Sequence, residues 1–177
     1  MQRPEPSEYE KYYGTYIHKV PDGEILELLD QGVRRTLTEL GGLPAEWETF
    51  TYEPGKWTVR EVVGHMIDAE RLFSYRALAI ARRDPADQPS MDQEQWAGDS
   101  NAGSRPLPSL LADFEHARRS SIALFESFDE DMWTRRGLAS GFEFSVRAFP
   151  YILAGHEIHH RRVLGERYLK PLRERGG

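Results

Sequence analysis

Two histidines four residues apart set the first question. HEIHH at positions 156–160 places His156 and His160 at i and i+4. On a helix that spacing stacks the two side chains on one face, where both imidazoles can hold one metal ion. Taken literally, the stretch is also the H-E-x-x-H pattern of zinc proteases, with Glu157 as the base. That pattern needs a third ligand further on. The extended form wants a histidine six residues after the second His and a glycine three residues after it, but the chain has Glu166 and Val163 there. Glu157 also stands four residues before Arg161, in the favourable order for a helical ion pair, so its presence has a plain explanation. Glu157-x-x-His160 mimics half of a di-iron bundle motif as well, yet no second Glu-x-x-His accompanies it. One metal is therefore expected rather than two.

A third imidazole is available at His65, which interrupts an apolar stripe formed by Val62, Met66, Ala69 and Phe73. His156 and His160 likewise share a face with Phe149, Leu153 and Val163. Imidazoles on core-facing stripes are costly unless partnered, and a metal ion supplies the partner. His159, i+3 from His156, is the rival third ligand, but it fits that stripe less well and is expected at the edge of the site or at the surface. His18 and His116 stand among polar residues and are read as ordinary side chains. Asp68, three residues after His65, is the candidate catalytic group, able to orient an imidazole or take a proton; the competing reading is a solvated carboxylate beside Arg71. Three neutral imidazoles leave a divalent ion its charge and an open position, which suits catalysis or ligand binding rather than a closed structural site. Zinc, nickel, iron and copper all accept such ligands. With no cysteine in the chain, a sulfur nucleophile would have to arrive with a cosubstrate.

These residues need helices to position them, and the sequence offers four. Ile25, Leu28, Leu29, Gly32, Val33, Thr36, Leu37 and Leu40 trace one face over roughly 24–41, with Asp22 as N-cap and Gly41-Gly42 as the stop. Thr58 and Glu61 form a capping box ahead of the His65 stripe, which is expected to end near Arg83. The third helix follows Pro106 and Pro108, with Leu110, Phe114, Ala117 and Phe125 on its inner face. The fourth is expected to start from Ser145 as N-cap and to end at Gly165 or at Lys170-Pro171. Tyr9, Tyr12, Tyr13, Tyr16 and Ile17 predict a short extra helix at the start. The expected fold class is all-α, a single four-helix-bundle domain over 1–177. Its connections are long, about 16 to 22 residues, and such loops are often functional.

Composition limits the partners. The chain is 39% hydrophobic and 29% charged, enough for one core under a solvated surface, and its net charge of −6 argues against a general nucleic-acid binder. The basic stretch at 161–175 reads as a solvated helix end. No run approaches the length of a membrane span, and MQRPEPSEYEKYY has no apolar segment of a signal peptide, so a cytoplasmic protein that does not enter a membrane is expected. A homodimer is compatible with the sequence.

PGKWTVREVVGHMIDAERLFSYRALAIAR (54–82), SMDQEQW (90–96) and SVRAFPYILAGHEIHHRRVLGERYL (145–169) resemble the DinB-like branch of the DinB/YfiT-like superfamily. The resemblance covers nearly the whole chain. It implies an up-down-down-up topology and one divalent metal ion on three histidines matching His65, His156 and His160, and it puts the loops that carry Trp57, Asp92 and Trp96 near the open end of the site. It also implies three alternatives for function. One is a metal-dependent S-transferase, which brings a low-molecular-weight thiol to an electrophilic small molecule. The others are a metal-dependent hydrolase and a non-enzymatic stress protein that binds metal or a small ligand.

Overall fold

The computed structural model describes residues 1–175, so the last two positions of the expected domain lie outside the described residues. The chain is predominantly helical. Three short turns of helix at the start lead from Pro6–Glu8 through Lys11–Tyr13 into α1, Gly14–Ile17. The long helices are α2 (Ile25–Leu40), α4 (Val59–Ala81), α6 (Leu107–Glu126) and α8 (Ala148–Val163). Between them lie the short helices α3 (Ala45–Glu48), α5 (Gln93–Asp99) and α7 (Glu130–Thr134), and α9 (Lys170–Arg175) ends the described chain. No helix among the described residues is long and apolar enough to cross a membrane.

Side-chain pairings fix the topology. Helix α2 packs on α6 and α8, and α4 packs on the same two, so consecutive long helices α2 and α4 sit diagonally. Thr36 meets Glu157 and Glu39 meets Arg161, so α2 and α8 run parallel. Glu70 meets Arg118 and Ser74 meets Ser121, so α4 and α6 run parallel. His65 meets His156 while Phe73 meets Phe149, so α4 and α8 are antiparallel. The result is up-down-down-up.

The capping box at the head of α4 forms as the sequence predicts. Thr58 Oγ1 accepts from the Glu61 N–H at 3.2 Å, and the Glu61 carboxylate accepts from the Thr58 N–H at 2.7 Å. Two other caps differ from expectation. Asp22 does not cap α2, which starts after Glu24; instead the Asp22 carboxylate receives Arg3. Ser145 does not cap α8, because it closes a β-hairpin, β1 (Arg136–Ala139) with β2 (Phe142–Ser145). Ser140 and Gly141 turn that hairpin with φ of 56° and 79°, the paired left-handed conformations of a type I′ turn. The fourth helix also does not stop at Gly165. It loosens into a π-helical stretch, Leu164–Leu169, and continues as α9 through Pro171.

The apolar interior is split in two. One cluster gathers Leu29, Ala69, Phe73, Phe125, Phe149 and Leu153. The other gathers Val33, Val62, Met66, Leu110, Phe114 and Leu164. Between them, at one level of all four helices, runs a polar layer. Arg118 on α6 is buried and donates from Nε and Nη2 to Glu70 of α4 at 2.9 and 2.8 Å. Its Nη1 donates to Glu157 of α8 at 2.6 Å and to the Leu29 carbonyl of α2 at 3.1 Å. Thr36 Oγ1 donates to the same Glu157 at 2.5 Å. One guanidinium thus ties the whole bundle together. Glu157 does not pair with Arg161, as its i, i+4 spacing suggested; Arg161 turns outward to Glu39. Gly32 makes room for this layer, since a Cβ there would stand 2.6 Å from Glu157 Oε2.

Candidate metal centre

The polar layer continues directly into the histidines, because Glu157 follows His156 on α8. His65 from α4 and His156 and His160 from α8 turn their Nε2 atoms toward one another. His156 Nε2 lies 3.0 Å from His65 Nε2 and 3.1 Å from His160 Nε2, and one ligand nitrogen from each ring falls within 4.8 Å of the others. Tetrahedral ligation at metal–nitrogen distances of about 2.0–2.1 Å places such nitrogens about 3.3 Å apart. The donor set argues in the same direction. A neutral imidazole nitrogen is either a donor or an acceptor, so His156 Nε2 cannot satisfy two neighbouring Nε2 lone pairs by two good hydrogen bonds. Three lone pairs converging on one cation remove the conflict.

Burial holds these rings neutral. His65 and His156 are almost sealed from solvent, while His160 lies nearer the surface. Desolvation pushes the His65 imidazole down to about 4, with His159 adding to the effect. Desolvation likewise lowers His156 and His160 well below the usual imidazole range, reinforced by the neighbouring rings. Neutral imidazoles are the protonation state that a metal requires.

Aromatic rings frame the centre. Trp57 lies against His65 with ring centroids 4.9 Å apart, and its carbonyl accepts from the Tyr168 hydroxyl at 2.8 Å. Tyr16 of α1 presents its ring to His156 at 5.3 Å and to His159 at 5.6 Å. Gly155 permits that approach, because a Cβ there would lie 2.1 Å from the Tyr16 carbonyl oxygen.

Two clefts open on either side of the histidines. The first, about 310 Å³, is lined by Lys56, Trp57, His159, His160, Arg167 and Tyr168 among others. The second, about 190 Å³, includes Tyr12, Tyr13, Tyr16, His65, Arg76 and His156 in its lining. Gln93 borders both. Asp92 is not part of either lining; its carboxylate caps α5 by accepting from Glu94 and Gln95 N–H at 3.1 Å, which places Gln93. Trp96 is exposed and borders neither cleft. His159 stands at the edge of the first, next to His160. His18 and His116 are exposed.

Asp68 is not part of the histidine group. It is half-buried, and burial raises its carboxyl against the lowering effect of Arg71, with Asp113 of α6 raising it further. Arg71 itself is paired with Asp113 at 2.5 Å. The sequence reading missed Arg118, Glu70 and Glu157 as one unit. A signal existed: each is a charged residue on an apolar stripe, Arg118 four after Phe114, Glu70 four after Met66, Glu157 four after Leu153.

Comparison with known proteins adds relatives. A model of the DinB superfamily matches residues 28–164. A protein of Oceanobacillus iheyensis named "Putative metal-dependent hydrolase" is 28% identical over 141 residues, covering 77% of this chain and 79% of that one. A protein of Geobacillus kaustophilus with the same name is 33% identical over 128 residues, covering 70% of each. Among solved structures, YfiT from Bacillus subtilis, described as "a probable metal-dependent hydrolase with an unusual four-helix bundle topology", superposes with a TM-score of 0.70 at 17% identity. It covers 93% of this chain and 90% of that one. A mycothiol-dependent maleylpyruvate isomerase gives a TM-score of 0.66 at 14% identity, over 82% of this chain and 61% of that one. At these identities the two structures speak to the fold alone.

Proposed function

The chain belongs to the DinB superfamily, and from that premise we propose that it is a metal-dependent hydrolase with one divalent ion on His65, His156 and His160. The observation that carries this reading is the convergence of three neutral imidazoles between two open clefts. The names of its two sequence relatives point the same way. When bound, such an ion supplies Lewis acidity and brings the pKa of water toward about 7. The chain's own residues do the rest. His65, His156 and His160 offer Nε2 lone pairs, kept free of protons by burial. Trp57 and Tyr16 exclude bulk water from the buried sides of His65 and His156. His159, lowered by desolvation and by the positive charges of Lys19, Arg162 and Arg167, is a neutral proton acceptor at the cleft edge. Glu157 is not a general base in this reading, since Arg118 and Thr36 occupy its carboxylate.

Thiol S-transfer to an electrophile is the second reading. The support for it is the size and charge of the first cleft, where Lys56 and Arg167 beside His160 leave room for a charged thiol cosubstrate. One assay separates the two. Activated esters and amides, and a chromogenic electrophile with a panel of thiols, are tested with and without added metal. Turnover that requires metal, needs no thiol and is abolished in His156→Ala supports hydrolysis. Turnover that strictly requires a thiol replaces hydrolysis with transfer. Tight metal binding without turnover of either kind leaves a binding protein.

A further inference from the structure

Arg76 is the one feature of the second cleft that the metal centre does not explain. It lies on the α4 stripe, three residues after Phe73 and four before Ile80, where an apolar residue would be expected. It is only 2% exposed, yet it makes no ion pair among the described residues. Nε donates to the Pro89 carbonyl at 3.1 Å, and Nη2 donates to the same carbonyl and to Ser140 Oγ at 2.9 Å. Its stem covers the Phe73 ring, with the guanidinium carbon 5.2 Å from the centroid. The nearby Asp87 carboxylate is taken by the Gly141 N–H, at 3.0 and 3.1 Å.

The third nitrogen, Nη1, has no hydrogen bond among the described residues. It is also not sealed in, since the only sealed side-chain atom there without a partner is Ser145 Oγ. Arg76 lines the second cleft, and Nη1 is its one nitrogen left without an acceptor among the described residues. A buried guanidinium with only neutral acceptors is an uncompensated charge, and a protein keeps one at a cost in stability unless something supplies the counter-charge. The contrast with Arg118 is direct: that guanidinium, equally buried, has two carboxylates.

We propose that Arg76 is the binding residue for a carboxylate on the substrate. One positive charge matches one negative charge; a phosphate dianion would leave its second charge without a partner beside Arg76. The neighbouring walls are Tyr12, Tyr13, Phe73 and Met91, so the body next to the carboxylate is aromatic or apolar. His65 and His156 form another part of the same lining. Arg76 stands eleven positions after His65 on the same helix, roughly 16 Å along the axis, and the arginine leans back toward the helix start. The ligand class is a small aromatic monocarboxylate, anchored at Arg76 with its reacting bond at the histidine end. The position of that bond rests on the hydrolytic reading; binding at Arg76 does not.

The test uses 4-fluorophenylacetate and its neutral amide, followed by fluorine NMR on chelator-treated protein so that no metal can take the carboxylate. At about pH 7.5 the acid is expected to bind roughly tenfold or more tighter than the amide, the range of a charge-assisted hydrogen bond. Arg76→Gln is expected to remove that preference while leaving amide binding and metal stoichiometry unchanged. Equal affinity for acid and amide in the wild type, or an undiminished preference in Arg76→Gln, overturns the proposal, as does equal displacement by inorganic phosphate. Should Arg76→Gln not fold, wild-type crystals soaked in 4-bromophenylacetate decide. The bromine signal must place the carboxylate at Arg76 Nη1, and a site elsewhere or no site refutes the assignment. Failure of the hydrolase assay leaves these binding results unaffected.

Discussion

Removing the positive charge from the polar layer is the severest test of how the bundle supports its site. Arg118 is sealed in the interior and pairs with both Glu70 and Glu157, so the three form a buried group with one net negative charge. Arg118→Met keeps much of the volume but leaves two buried carboxylates without a cation. Breaking a buried ion pair from one side costs roughly 3–5 kcal/mol. For a chain of this length that corresponds to roughly 6–20 °C in thermal midpoint. Glu157→Gln is the control. It leaves Arg118 paired with Glu70 and keeps an acceptor for Thr36, so it is expected to cost about 1–2 kcal/mol. Urea unfolding of all three proteins near neutral pH checks this. A cost below about 1 kcal/mol for Arg118→Met, or equal costs for the two variants, refutes the reasoning.

Metal-free protein should lose stability as pH falls. His65 titrates at about 4 in the fold against 6.5 unfolded, so between those values the unfolded chain binds more protons. The His65 share is about 3 kcal/mol, complete once pH is below about 4; urea midpoints at several pH values read it, and a flat profile contradicts it. Chelation near neutral pH should leave the helical circular dichroism intact but lower the thermal midpoint, because the two apolar clusters fold without the ion while the ion binds only the fold. Helix loss on chelation would make the ion structural. Thr58→Ala removes the α4 cap and should cost about 1 kcal/mol by urea unfolding; no change would mean the capping box is redundant.

The four long helices were legible because their apolar residues repeat at helical spacing, and His65, His156 and His160 stood out because they interrupt those repeats. The order of helix directions came from the family resemblance. Local rules failed where distant partners outcompeted them. Glu157 had a local cation in Arg161, but a guanidinium 39 residues away in sequence takes it into the core. Asp22 and Ser145 have the chemistry of caps, yet one is drawn to Arg3 and the other is committed to a strand. The hairpin was hidden in a stretch treated as loop, although Ser140-Gly141 between alternating apolar residues carries the turn signal. Arg118 and Arg76 also interrupt apolar stripes, but a lone arginine does not name its partner in the sequence, whereas two histidines at i and i+4 do.

The central claim, one divalent ion on three imidazoles, is tested most directly by metal analysis of purified protein beside His65→Ala, His156→Ala and His160→Ala. One equivalent of metal per chain is expected in the wild type, with affinity collapsing in each variant while the helical circular dichroism is retained. Full stoichiometry and affinity in any folded variant would mean that its histidine is not a ligand, and retention in His156→Ala, the ring central to both close contacts, would contradict the site itself.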